Sequence, residues 1–383
     1  MNQVIATLPL SPRQNADIGY YLIPLIANII ASFAGISTVN AVNILGAKET
    51  TTQDVDTHFN MLKCLGIASQ FQWCDGNEAW NIVLTNLFHK GLAQGWILQD
   101  ERTIMVCPCG KTEFIVAAST LSKIHGTRKT YEIQDDKVFC LLCQGFATPR
   151  TIPCLLIRMP EQVPSITIIP TYAAAEWNRL AADNRKREIL VSRVRETGIQ
   201  AECVGRKYNI DVDFVWKLLL ERLSEKNIKC LGLVVGHKSI KHALSITMLS
   251  SLIGVPIPQF VISTPYISFD FGCQLPINAR ELVNLHDAEP LRWLLSMAIG
   301  CHQKEFTLQS KLIYLIKHSI GTTLNAKNYD LEQVSADILW RYFNTKRIQK
   351  MLLFLRQNKP ELLDPRERHL ASLLGLLKKN IVY

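Results

Sequence analysis

The chain has 383 residues, 48% hydrophobic and 20% charged, an ordinary balance for a globular protein of two or three domains. Its net charge of +9 is unevenly spread, because residues 301–383 hold fourteen Lys and Arg against seven Asp and Glu. Eleven cysteines, in a chain whose start does not read as a signal peptide, are expected to be reduced thiols with one local metal site rather than a disulfide framework.

Val4–Leu8 reads as a short buried strand, followed by a loop carrying Pro9, Pro12 and Gly19. The apolar stretch Tyr20–Ile36 falls short of bilayer length and contains Pro24, Asn28 and Ser32, which predicts a buried helix rather than a membrane span. Asp17 sits where the basic region of a signal peptide belongs. A soluble, cytoplasmic protein with no membrane partner is expected. Val42–Leu45 reads as a second short strand leading into Gly46. Thr51–Leu65 and Asn77–Leu92 have helical periodicity, the latter with Trp80, Val83, Leu84, Leu87 and Phe88 on one face and Gly91 as a stop. Strand, helix, strand, helix in this order predicts an α/β domain with a parallel sheet. In such sheets ligands lie beyond the carboxyl ends of the strands, where the loop after Leu8 would place Asp17–Tyr20.

From Trp96 to about Gly145 the periodicity weakens and cysteines gather. Cys107-Pro108-Cys109 and Cys140-Leu141-Leu142-Cys143 form two short chelating pairs thirty residues apart. Four thiolates so spaced suit a closed, tetrahedral structural zinc site; the alternative is four unliganded core cysteines. Alternation resumes at Pro153–Met159, Ile210–Leu223 is a helix candidate, and Leu231–Val235 a strand opening onto Gly236-His237-Lys238. Ser239–Ile253 reads as a helix and Gln259–Ser263 as a strand, together the second half of a split nucleotide-binding domain. Beyond Gly300 the pattern predicts helices throughout, with an amphipathic run over Val334–Leu355. The basic balance there suits RNA, or only a solvated helix face.

Four segments, taken in order, resemble a class I aminoacyl-tRNA synthetase, closest to the methionyl type within the methionyl/leucyl/valyl group. Asp17-Ile18-Gly19-Tyr20 is similar to the family's His-Ile-Gly-His. Leu87–Val106 resembles the entry into its zinc-bearing insertion. Val191-Ser192-Arg193 with Gly198, and Asp213-Phe214-Val215-Trp216, resemble its Ile-Ser-Arg…Gly element and its Tyr-Val-Trp turn. Val235–Leu295 is similar to its Gly-Lys-Asp helix and the strand that follows, with Arg292 at a structural position.

The resemblance implies a split Rossmann-like catalytic domain in residues 1–95 and 206–300. A connective insertion with a zinc knuckle would occupy 96–205, and a basic helical domain 301–383. Structural zinc, ATP, tRNA and an amino acid or related small molecule are the implied ligands. Leu8, Leu10 and Trp216 would line the amino-acid pocket, although Trp216 suits core packing equally. Gly236, His237 and Lys238 would meet phosphate at a helix start, or form a solvated turn.

The departures fall on the chemistry. Asp17 and Tyr20 stand where the family has histidines. The Lys-Met-Ser-Lys-Ser region is Ser268-Phe269-Asp270-Phe271-Gly272, without a lysine. The acidic-histidine element is replaced by Gly46-Ala47-Lys48-Glu49-Thr50, and the Asp after the Val-Trp turn by an apolar position near Leu218. Adenylation builds negative charge on phosphoryl oxygens, so it needs donors and cations. A carboxylate is acceptor-only, and a like charge about 4 Å from a phosphate costs on the order of 4 kcal/mol at an effective dielectric of about 20. That corresponds to roughly a thousandfold in rate. Asp17 also reads as a helix cap. A divergent paralogue that binds tRNA or an amino acid with impaired activation is therefore the expected function; an active methionyl-type ligase is the alternative.

Overall fold

The structure, a computed structural model, describes residues 2–13, 16–45, 51–67, 71–109, 113–115, 131–134, 137–184, 188–193, 198–269, 279, 295 and 304–308. Asp270, Gly272, the Gly46–Thr50 element, Arg292 and the amphipathic run over Val334–Leu355 lie outside them.

The chain opens β1 (Asn2–Thr7), α1 (Ile18–Phe33), β2 (Ser37–Val42), α2 (Thr52–Cys64), β3 (Phe71–Cys74) and α3 (Trp80–Ala93). Next come β4 (Ile97–Val106), β5 (Glu113–Ile115), β6 (Tyr131–Gln134), β7 (Lys137–Cys140), β8 (Gly145–Phe146) and β9 (Thr148–Arg158). β10 (Thr167–Ile169) and α4 (Thr171–Asn184) follow, then β11 (Glu188–Leu190), β12 (Ser192–Arg193), β13 (Ile199–Cys203) and β14 (Arg206–Ile210). The chain continues through α5 (Val212–Val215), α6 (Leu219–Glu225), β15 (Ile228–Gly236), α7 (Ile240–Ile253), β16 (Phe260–Thr264), β17 (Tyr266–Phe269) and β18 (Glu305–Leu308).

These elements divide into two compact units. One comprises residues 1–76, 164–182 and 218–383; the other comprises 77–163 and 183–217. The first unit is built on a six-stranded sheet in the order β10-β16-β15-β1-β2-β3, with every pairing parallel. From β1 the order runs outward through β2 and β3 on one side and β15 and β16 on the other. The boundary between β1 and β15 is thus the switch point, the place where doubly wound sheets open a crevice.

The apolar stretch is a buried helix, as its length and polar interruptions predict. Ile18, Leu22, Leu25, Ile26 and Ile29 of α1 are all within 1% of complete burial, each contributing about 1.5–3 kcal/mol by removal from water. No described helix is long and apolar enough to cross a membrane. On the sheet, Phe260 lies across Gly232 so closely that a Cβ there would come within 2.1 Å of its ring. Strand pairing between β15 and β16 at that register, Gly232 to Phe260, therefore requires a glycine.

Three local expectations differ from the structure. The second strand ends at Val42 rather than spanning Val42–Leu45, because Ile44 and Leu45 donate their amides to the buried Asp75 carboxylate at 2.7 and 3.2 Å. An amide turned toward a side chain cannot continue the ladder. Ile210–Leu223 is not one helix: Ile210 closes β14, Asp211 caps the short α5, and a 3-10 turn at Trp216–Leu218 separates it from α6. The region beyond Gly300 is not uniformly helical, since Glu305–Leu308 pairs in parallel with Tyr266–Phe269.

The second unit is antiparallel. β11, β9, β4 and β5 form one sheet, β12, β14 and β13 another, and β6, β7 and β8 a third. α3 packs on β13, with Phe88 stacked on Phe214 at 6.2 Å. Gly91 permits the tight turn from α3 into β4, where a Cβ would stand 2.3 Å from Ile97.

Candidate functional site

The carboxyl end of β1 delivers Leu8 into the core at 3% exposure. Leu10 bridges in parallel to Val42, its amide donating to the Ala41 carbonyl and its carbonyl accepting from Asn43, both at 2.9 Å. Beyond that loop, Asp17 is the N-cap of α1. It has extended backbone, and its carboxylate accepts from the Tyr20 amide at 3.1 Å. Capping explains the residue type locally: a carboxylate satisfies one of the orphan amides and favours the positive end of the helix. The same carboxylate brings negative charge to the place where the resemblance puts phosphate donors.

Gly19 lies directly behind it. A Cβ there would meet Asp17 Oδ1 at 3.1 Å and Ile267 Cβ at 3.3 Å. The start of α1 and β17 are therefore in contact, and the amide of Ala279 donates to the Ala16 carbonyl at 3.0 Å. The structure thus brings residues 17–20 beside the segment that holds Ser268. Within that segment Ser268 is not free, since its hydroxyl shares a hydrogen bond with Thr307 at 3.0 Å.

Tyr20 turns its hydroxyl inward to donate to the Ser11 carbonyl, and the Arg13 guanidinium lies 6.0 Å from its ring centroid. Burial raises the phenol well above its ordinary range, with Arg13 opposing, so the hydroxyl stays protonated and committed to the backbone. Two buried titratable residues of this unit were not singled out from the sequence, His58 at this corner and Asp75 beyond β3. His58 on α2 is 1% exposed and stacks on Tyr21 at 5.6 Å. Burial lowers its imidazole to about 4. Its one sequence signal is its place on the buried face of α2 with Asp54, Met61 and Leu62. Asp75 is fully buried, and its carboxyl is pushed up by burial against the opposing amides of Ile44 and Leu45. The Asp75-Gly76 pair after a strand is a turn signal.

Gly236, His237 and Lys238 sit at the carboxyl end of β15, across the switch point from Leu8, and lead through a 3-10 turn into α7. Trp216 belongs to the second unit, 7% exposed, with its indole N–H directed at the Asp213 carboxylate at 3.5 Å.

The cysteine pairs converge. Cys107 and Cys109 follow β4; Cys140 and Cys143 bound the turn after β7, which returns into β8 through Gln144 at a positive φ of 55°. The Sγ atoms all lie within 4.8 Å of one another. Cys107 is 3.1 Å from Cys109 and 3.2 Å from Cys143, and Cys109 is 4.0 Å from Cys140. Tetrahedral Zn–S bonds of about 2.3 Å place sulfurs roughly 3.8 Å apart, so the cluster fits a metal ion. Burial and then the neighbouring thiols push the Cys107 thiol up to about 12. A bound cation reverses that preference by holding the sulfurs as thiolates.

No protein-family model matches the chain, and no curated protein matches it by sequence. Solved structures do. A methionyl-tRNA synthetase of Mycobacterium tuberculosis in complex with methionyl-adenylate superposes with a TM-score of 0.66 at 11% identity, covering 98% of this chain and 89% of that one. A second structure of that enzyme bound by methionyl-adenylate gives 0.64 at 10% identity, covering 98% and 89%. Its apo form gives 0.62 at 12% identity, covering 98% and 86%. The chain thus has a class I synthetase-like fold of the methionyl type.

Proposed function

We propose that this chain is a divergent methionyl-type synthetase-like protein that binds tRNA or an amino acid and is impaired in ATP-dependent activation. The observation that carries this reading is the start of α1. There the Asp17 carboxylate caps the helix while the Tyr20 hydroxyl is spent on Ser11. Neither presents a donor to a phosphoryl oxygen, and the acid repels one. Transition-state charge in phosphoryl chemistry is stabilised by preorganised donors and cations; here the preorganised group has the wrong sign. Ser268, at the position of the missing loop lysines, is tied to Thr307.

Cys107, Cys109, Cys140 and Cys143 would hold a structural zinc, whose chemistry when bound is to crosslink β4 and β7 rather than to activate water. The insertion that carries them suits the acceptor end of a tRNA, consistent with the family's use of such a knuckle. The deciding measurement is ATP–pyrophosphate exchange with each amino acid, run beside tRNA retention on a filter. Retention without exchange above the protein-free background is expected. Appreciable exchange with any amino acid, methionine first, would overturn the reading in favour of an active ligase.

A further inference from the structure

The four clustered cysteines are chemically unequal. Cys107 and Cys140 are buried and Cys109 is half-buried, but Cys143 is exposed. It lies on the turn between β7 and β8, where Leu141 and Leu142 are also open to solvent at 39% and 58% exposure and Gln144 holds a positive φ of 55°. The next residue is Gly145. A Cβ there would stand 3.6 Å from Cys143 Sγ and 3.6 Å from Pro108 Cγ, in van der Waals contact with both. Glycine therefore leaves one side of this sulfur uncovered.

Behind the exposed sulfur stands a partner. Cys107 is 1% exposed, and its Sγ lies 3.2 Å from Cys143 Sγ, within the roughly 3–3.5 Å of a near-attack arrangement. Cys109 is as near to Cys107, at 3.1 Å, but it is less open to solvent. A cation in this site would hold all four sulfurs as thiolates, the nucleophilic form. Susceptibility to oxidation follows thiolate character and exposure together, and within the cluster Cys143 combines them most fully.

We propose that Cys143 is an oxidation site for hydroperoxides, with Cys107 as its resolving thiolate. The Cys143 thiolate attacks a peroxide oxygen, the O–O bond breaks, hydroxide leaves and the sulfur becomes a sulfenic acid. The Cys107 thiolate then attacks that sulfur from the buried side; an S–S bond forms, the S–O bond breaks and a second hydroxide departs into solvent. In sum two thiolates and one hydrogen peroxide give a disulfide and two hydroxides, with two electrons passing from sulfur to oxygen. The two sulfurs need to close by only about 1 Å to bond. Cys109 and Cys140 alone then offer two thiolates, too few to retain the ion. The link between the end of β4 and the β7–β8 turn is kept, now as a disulfide, and a thiol reductant reverses the change. The inference rests on the zinc site of the proposed function and adds control of its occupancy.

The test uses the full chain, reconstituted with zinc and treated with limiting hydrogen peroxide. Zinc release is read with a chromogenic chelator, the sulfenic acid by dimedone capture and the bridge by peptide mass mapping. Expected are one zinc released per disulfide, a Cys107–Cys143 bridge, early dimedone capture at Cys143 and restored zinc binding after thiol reduction. Gly145→Ala, which removes no ligand, should bind zinc as the parent does and release it about threefold or more slowly, because access governs thiolate reactivity. Cys64, exposed but outside the cluster, serves as the internal control. Oxidation of Cys64 while zinc stays bound, a bridge that bypasses Cys143, or equal release from Gly145→Ala and the parent overturns the inference. A chain that takes up no zinc defeats the metal reading and this inference with it, whereas zinc that is bound and then retained under peroxide defeats this inference alone.

Discussion

Asp17 carries two consequences that one substitution separates. Asn also caps helices well, so Asp17→Asn should leave thermal stability within about 0.5 kcal/mol of the parent while removing the charge. ATP affinity, measured by calorimetry, should then rise by roughly tenfold or more, a fraction of the like-charge penalty at a solvated site. Asp17→His together with lysines at Ser268 and Phe271 should raise it further. Unchanged affinity in both variants would show that this corner is not a nucleotide site. His58 makes a separate claim about pH. Its folded pKa of about 4 lies below the unfolded value of 6.5, so the unfolded chain binds more protons between these values. Stability from this residue is complete above about pH 6.5 and is lost as pH falls towards 4. Between pH 7 and pH 5 the loss is about 2 kcal/mol. In His58→Phe, which keeps the ring packing against Tyr21, urea midpoints should lose most of that dependence. A variant whose acid limb is unchanged would place the titration elsewhere.

At the scale of elements, the structure makes β15 and β16 inseparable through one glycine. Because the Phe260 ring occupies the space of a Gly232 side chain, Gly232→Ala forces the ring or the strand aside, at a cost of about 1–3 kcal/mol by overpacking. Hydrogen exchange should show lost protection in Leu233–Val235 and Val261–Ser263, the strands that present His237 and Tyr266. Helices and strands were legible where periodicity and burial coincide. α1, α2, α3, α7, β15 and β16 fall within a few residues of their expected bounds. Two of the three errors share a cause. Val42–Leu45 and Ile210–Leu223 are apolar runs whose backbone is diverted by a buried carboxylate, Asp75 in one and Asp211 in the other. Hydrophobicity along the chain does not record which amide turns to meet an acid.

For the whole molecule, the four cysteines are the element most open to chemical test. Chelator treatment should remove one metal per chain, zinc by elemental analysis, and unfold the insertion while the parallel sheet keeps its exchange protection. Cys143→Ser should lower metal affinity by at least about tenfold, because a hydroxyl is a far poorer ligand than a thiolate. Protein that binds no stoichiometric metal when reconstituted with zinc would remove the structural role.

The sequence alone determined the α/β order, the buried first helix and the cysteine set, because each rests on periodicity, composition or spacing along the chain; the likeness to a synthetase rests on the resemblance of its motifs to a known family. Only the tertiary structure decided that Tyr20 bonds to Ser11, that His58 packs against Tyr20 and Tyr21, and that Tyr172, His237, Tyr266 and Lys304 meet at one corner. The last four are separated by up to 132 positions, and what joins them is strand order in a parallel sheet. That order is set by non-local pairing, on which no local pattern of side chains reports.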